Sequence, residues 1–218
     1  MPRLLREESR EATRQRLLAA ARETFAKFGF VGASVDQVAQ AAGFSKGAVY
    51  SNFASKEALF LELLRQHMAE EIGELQALLR TSSSARAILR SLEEKYSRPE
   101  KQEVWCLLSA EFQLHAGRSP QFAKPFAALY RKQRKAVGRL VGLIAIKSGG
   151  AAPAAAQLDE IATSLMAVIL GIALQRGADP GAVSAATAGR SLRLLLASFL
   201  RTGTVKPPKR KVRTRHAL

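Results

Sequence analysis

Between Ser34 and Asn52 the sequence encodes two short helices, each opened by a serine and separated by a glycine. No other stretch restricts the fold as strongly. Ser34 stands three residues before Gln37, the spacing of a capping box: the hydroxyl accepts from the third helical amide and the glutamine reaches back. Asp36 falls in the first turn, where the positive end of the helix dipole favours it. The segment runs to Ala42 and Gly43 stops it. Ser45 opens a second short helix over 46–52, and Ser55 a longer one over 56–80. Small residues at Ala39, Ala41, Ala42 and Gly43 permit close approach at the turn. Val35, Val38, Ala39, Ala42, Phe44, Val49 and Phe53 supply a shared core. This is the construction of a helix-turn-helix, whose second helix enters the major groove with its N-terminal residues at base edges.

Helical periodicity continues on both sides, and strand signals are scarce. Over 8–28, Leu17, Leu18, Ala21, Phe25 and Phe28 form one stripe, with Arg14, Arg22 and Lys27 off it and Gly29 as a stop. Further helices are expected over 85–96, 99–116, 120–146 and 154–176. Ser119-Pro120 opens the third of these, and Pro125 either sits in its first turns or breaks it there. Asp179-Pro180 is expected to cap a last helix ending near 202. The expected fold is all-α with about nine helices: an N-terminal three-helix domain over 1–55 with a basic arm, a larger helical domain over 56–203, and a basic, disordered tail over 204–218.

Net charge is +16, which favours an anionic partner, nucleic acid before membrane. Its location matters more than its sum. Residues 1–60 hold nine Lys/Arg and six Asp/Glu, whereas 201–218 hold seven Lys/Arg and no acid. The tail is read either as a source of non-specific phosphate contacts or as a solubilising segment. The arm residues Arg3, Arg6 and Arg10 either follow the DNA or fray in solvent. A single cysteine, Cys106, excludes an intrachain disulfide, so a reducing cytoplasm is expected. Its apolar surroundings make it a core residue rather than a nucleophile. Residues 1–16 lack the apolar stretch of a secretory signal, and the apolar run 161–174 is read as a buried helix, not a membrane span. No glycine-rich phosphate loop, HExxH or metal-spaced Cys/His set occurs, so no enzyme, cofactor or metal site is expected.

The stretch 13–64 resembles the DNA-binding signature of TetR/AcrR-type regulators, most closely in Ser34-Val35-Asp36-Gln37-Val38-Ala39, Gly43-Phe44-Ser45-Lys46-Gly47-Ala48-Val49-Tyr50-Ser51-Asn52-Phe53 and Ser55-Lys56-Glu57-Ala58-Leu59. The resemblance implies a ligand-responsive DNA-binding regulator, most often a repressor on a palindromic operator. It implies phosphate contacts from Tyr50 and Lys56, a base-edge or phosphate contact from Lys46, and a cap with a secondary phosphate contact at Ser34. Ser45, Gly47, Ala48, Ser51 and Asn52 would complete the groove-facing surface. Ala48 and Asn52 depart from the Thr/Ser and His common in that family, so base preference does not carry over. Tyr50 packing between helices, and Lys46 as a solvated lysine, are the plain alternatives.

The resemblance also implies a small-molecule site in the larger domain, for an apolar or amphipathic effector. Met68, Trp105, Phe112, His115, Phe122, Phe126, Tyr130 and Met166 are the candidate lining, with ordinary core packing as the alternative for each. It further implies a homodimer through the last two helices. The apolar runs 158–174, bounded by Leu158 and Leu174, and 192–200, bounded by Leu192 and Leu200, are too apolar for a free surface.

Overall fold

A computed structural model describes the backbone of residues 2–98 and 100–201 and the side chains of residues 8–98 and 103–200. Among these residues the chain forms nine helices and no strand: α1 (Pro2–Gly32), α2 (Val35–Ala42), α3 (Lys46–Asn52), α4 (Lys56–Thr81), α5 (Ala85–Tyr96), α6 (Glu100–Arg118), α7 (Pro120–Lys147), α8 (Ala155–Ala178) and α9 (Ala186–Arg201). The tail over 204–218 and the side chains of Arg3 and Arg6 lie outside the described residues.

Serine hydroxyls set four of the starts. Ser34, Ser45, Ser55 and Ser84 each accept from the third amide of the helix they precede. Pro120 occupies the first turn of α7, and the helix continues through Pro125. The last helix departs from expectation. Asp179-Pro180 does not open it: Asp179 Oδ1 accepts from Ala182 N at 2.9 Å, which closes a local turn, and α9 begins only at Ala186. A side chain that bonds its own following amides offers the backbone an alternative to helix.

Gly29 divides α1. Its φ of 73° and ψ of 172° break the helical ladder, and one further turn follows to Gly32. That break leaves the amides of Phe30 and Val31 without a helical partner. Glu111 on α6 accepts both, through Oε2 at 2.8 and 3.3 Å. The positive φ is what favours glycine at position 29; a Cβ there would lie 2.8 Å from Glu111 Oε1 and push that carboxylate off the two amides.

The apolar side chains gather into two cores. The first joins α1, α2 and α3 to the N-terminal half of α4, to Leu108 and Phe112 of α6 and to Phe126 of α7. The second joins Leu79 of α4 to α5, α7, α8 and α9. The packing therefore divides within α4, between Met68 and Leu79, and α4 takes part in both cores. α8 is long and apolar enough to cross a membrane by length and composition. It packs on α6, α7 and α9 instead, and only 28% of its most apolar stretch is buried within the chain.

Candidate nucleic-acid interface and internal cavity

The two short helices form as their caps dictate. Ser34 Oγ accepts from Gln37 N at 3.2 Å while Ser34 N donates to Gln37 Oε1 at 2.8 Å, a complete capping box. Gly43 takes the left-handed conformation (φ 71°, ψ 32°), and the chain folds back through Gly43 N to Gln40 O and Phe44 N to Ala39 O. Val49 and Phe53 anchor α3 in the first core, at 1% and 4% exposure. The opposite face of α3 is open: Ser45, Lys46, Gly47, Tyr50 and Ser51 are exposed, and Ala48 and Asn52 half-buried.

The polar groups on that face are partly engaged. Lys46 Nζ donates to Asp36 Oδ2 at 2.8 Å, and this bond, with the attraction of the same carboxylate, holds its pKa above the ordinary lysine value. Ser51 Oγ and Asn52 Nδ2 both donate to Ala48 O. Tyr50 is 47% exposed, so it does not pack between helices.

Lys56 is placed differently from its expected role. Its ammonium donates to Phe30 O at 2.9 Å, Ala33 O at 3.0 Å and Val31 O at 3.4 Å, and lies over the Phe30 ring. All three donors serve the carbonyl end of α1. Two arginines do the same for the neighbouring helices. Arg16 Nη2 donates to Ala42 O at the end of α2 and lies over Phe44. Arg14 Nη1 donates to Asn52 O at the end of α3, lies over Phe53 and pairs with Glu62 at 3.5 Å. None of α1, α2 and α3 carries a basic residue in its own last turn. Each therefore takes its C-terminal cation from another element, which satisfies carbonyls and opposes the negative end of the dipole. Sequence reasoning missed Arg14, Arg16 and Glu111. The two short helices α2 and α3, which end without a cation of their own, were the available signal.

In the larger half, a cavity of about 150 Å³ opens between the C-terminal part of α4 and helices α5 to α9. Met68, Trp105, Tyr130 and Met166 line it, together with His67, Glu71, Cys106, Ser109 and Gln133. Phe126 instead lines, with Tyr130, a shallow outer depression beside Arg131 and Arg134. Phe112, His115 and Phe122 line neither of these two openings. Phe112 is fully buried among Phe30, Phe60 and Phe126, with ring centroids 4.8–5.4 Å apart. His115 lies against Phe30 and places Nε2 3.2 Å from Glu57 Oε1, without the alignment of a hydrogen bond. Phe122 approaches the His115 ring at 6.3 Å. On α6, Trp105 and Phe112 both belong to the first core, and Trp105, with Cys106 and Ser109, also lines the cavity. Burial pushes the Cys106 thiol up to about 12, so it stays a protonated, unreactive wall group.

An open, doubly capped second helix on a three-helix head, followed by a helical half with an internal cavity, defines the architecture of a ligand-responsive transcriptional regulator. The profile of bacterial regulatory proteins of the tetR family matches residues 17–63, and that of the BetI-type transcriptional repressor C-terminal domain matches residues 82–201, more than half of the chain. The protein belongs to the TetR family, whose members are transcription regulators and not enzymes. It is 36% identical over 87 residues to the transcriptional activator FasR of Mycolicibacterium smegmatis, over 40% of each chain. The chain thus spans about two fifths of that relative's length. The fold is shared with a transcriptional regulator from Rhodococcus sp. RHA1 (TM-score 0.69, 26% identity, 89% of this chain and 99% of that one). It is also shared with FadR of Bacillus subtilis, solved in complex with stearoyl-CoA (TM-score 0.64, 17% identity, 84% and 97%).

Proposed function

We propose that this protein is a dimeric, cytoplasmic repressor that holds a palindromic operator and releases it when a small apolar or amphipathic molecule fills the cavity. The observation that carries the reading is the open face of α3, beside a cavity that shares α4 and α6 with the reading head. In this reading Lys46, Gly47, Ala48, Tyr50, Ser51 and Asn52 face the groove, and Ser34 and Ser45 flank it at the helix N-termini. Lys56 acts mainly by fixing the α1 end next to the backbone of the DNA. Residues 1–55 read DNA, 56–203 sense and dimerise, and α4 connects the two tasks.

Dimerisation is assigned to α8 and α9. Leu174 and Leu194 stand 45% and 62% exposed, and most of the apolar stretch of α8 is uncovered by its own chain. A second copy covers such a surface and sets two α3 helices about one DNA turn apart. Repression, rather than activation, follows the BetI-type repressor profile; FasR, by its name an activator, is the opposing precedent. Effector binding shifts the equilibrium only by its differential affinity for the two states.

The test is selection of duplexes bound by full-length protein from a random pool, followed by transcription from the selected site. A two-fold symmetric motif, silenced by the protein, is the expected result. Sequence-independent binding would sink the regulator reading, and stimulated transcription would reverse its sign.

A further inference from the structure

Among the described residues, no lysine or arginine lines the cavity. The one carboxylate there, Glu71, is matched from behind by Lys95 at 3.1 Å, and Lys95 also holds Glu74. The surrounding arginines are committed: Arg22 to Glu70, Arg134 to Asp159 and Arg176 to Glu103. His67 supplies no positive charge at neutral pH. Its ring lies flat on Trp105, with centroids 4.4 Å apart and planes 11° apart, and burial pushes its pKa down to about 4. The hydrogen-bonding residues Glu71, Ser109, Gln133 and Tyr130 belong to the lining from α4, α6 and α7. The lining from α5, α8 and α9 is apolar apart from Tyr96: Ile88, Leu92, Leu165, Ile169, Leu192 and Leu196.

A carboxylate or phosphate placed here would lose its water and meet no cation, a cost that neutral hydrogen bonds do not repay. A quaternary ammonium would meet a carboxylate already matched by Lys95 and an indole face already covered by His67. We infer that the effector is an uncharged, elongated molecule. Its hydrocarbon body lies along α5, α8 and α9, and a single hydrogen-bonding terminus meets Glu71, Ser109 and Gln133 on α4, α6 and α7. This rests on the effector reading above.

Trp105 is the chain's single tryptophan and lines the cavity, so its emission reports occupancy. Full-length protein, freed of bound small molecules, is titrated at neutral pH with 1-decanol, decanoate and decyltrimethylammonium, which share one chain and differ at the terminus. Decanol is expected to bind at least roughly tenfold more tightly than either ion. Decanoate or decyltrimethylammonium binding as tightly as decanol overturns the inference, and so does a Trp105 emission indifferent to decanol. Gln133→Lys, which supplies a cation to the polar end, is expected to raise decanoate affinity by roughly tenfold. An unchanged decanoate affinity in folded Gln133→Lys protein also counts against it. DNA binding is read on the same ligand-free sample. DNA bound but decanol ignored sinks the effector class alone, whereas a sample that ignores duplex DNA sinks the regulator reading.

Discussion

The two halves of the molecule are built from the same helices and packed to different standards. In the N-terminal head, Phe25, Phe30, Phe60 and Phe112 meet edge-to-face or stacked at 4.8–5.3 Å where they touch closest, and Leu17, Ala21, Leu59 and Phe60 have no exposed surface. Its cations turn inward onto helix ends. In the larger half the apolar side chains surround an opening, and no described lysine or arginine lines it. A head that must present α3 in one orientation is over-determined by close packing. A sensing half keeps unfilled space, because a cavity stabilises a ligand only if the protein has not already filled it.

That contrast predicts a graded response to substitution. The largest effect belongs to the head: Phe30→Ala is expected to cost about 3–5 kcal/mol of unfolding free energy in denaturant titration, since the rings of Phe25, Phe60 and Phe112 around it cannot collapse onto the void. A loss near ~1 kcal/mol would mean that the head is as yielding as the other half.

Second comes acid. Unfolded His67 takes its proton near pH 6.5, whereas the folded site takes it only near 4. Between those values the unfolded chain binds more protons, so stability falls as pH drops from about 6.5 to 4, by at most on the order of 3 kcal/mol, and is flat above. His67→Phe is expected to remove that slope; a slope that persists in the variant assigns it to other groups.

Third, Lys56→Ala is expected to cost about 1.5–3 kcal/mol, because three carbonyls lose a charged donor. Unchanged thermal stability with weakened DNA binding would show that the ammonium serves phosphate after all. Fourth, Met166→Ala, at the edge of existing empty space, is expected to change stability by about 1 kcal/mol or less and to alter effector affinity more. Last, Lys46→Ala removes an exposed pair. It leaves the melting temperature unchanged and weakens operator binding, read by fluorescence anisotropy. A drop in melting temperature would instead make the Asp36 bond structural.

Much of the reading head was legible because its information is local. The Ser34–Gln37 box, the Gly43 stop and the Ser45 and Ser55 caps each involve residues within a few positions of one another, and all formed as their spacing dictates. Helix number and order were legible for the same reason. The start of the last helix was not, because Asp179 had two local options, a helical cap and a closed turn, and the turn prevailed. The cavity walls were half legible. An apolar stripe states that a side chain is buried but not which space it adjoins along the helix axis. Trp105 and Phe112, seven positions apart on one face of α6, both belong to the first core, and only Trp105 also reaches the cavity. The inward cations were hidden for a related reason. Arg14, Arg16 and Lys56 are ordinary basic residues in a basic chain, and only tertiary placement brings them to carbonyls 38, 26 and 26 residues away.

Those inward cations bear on how DNA is held. Each fixed positive charge that displaces condensed counterions from a duplex contributes about −0.9 to the slope of log affinity against log salt. Cations committed to the protein's own backbone, as Arg14, Arg16 and Lys56 are, are expected to add little to that slope, which leaves counterion release to other cations such as Lys46.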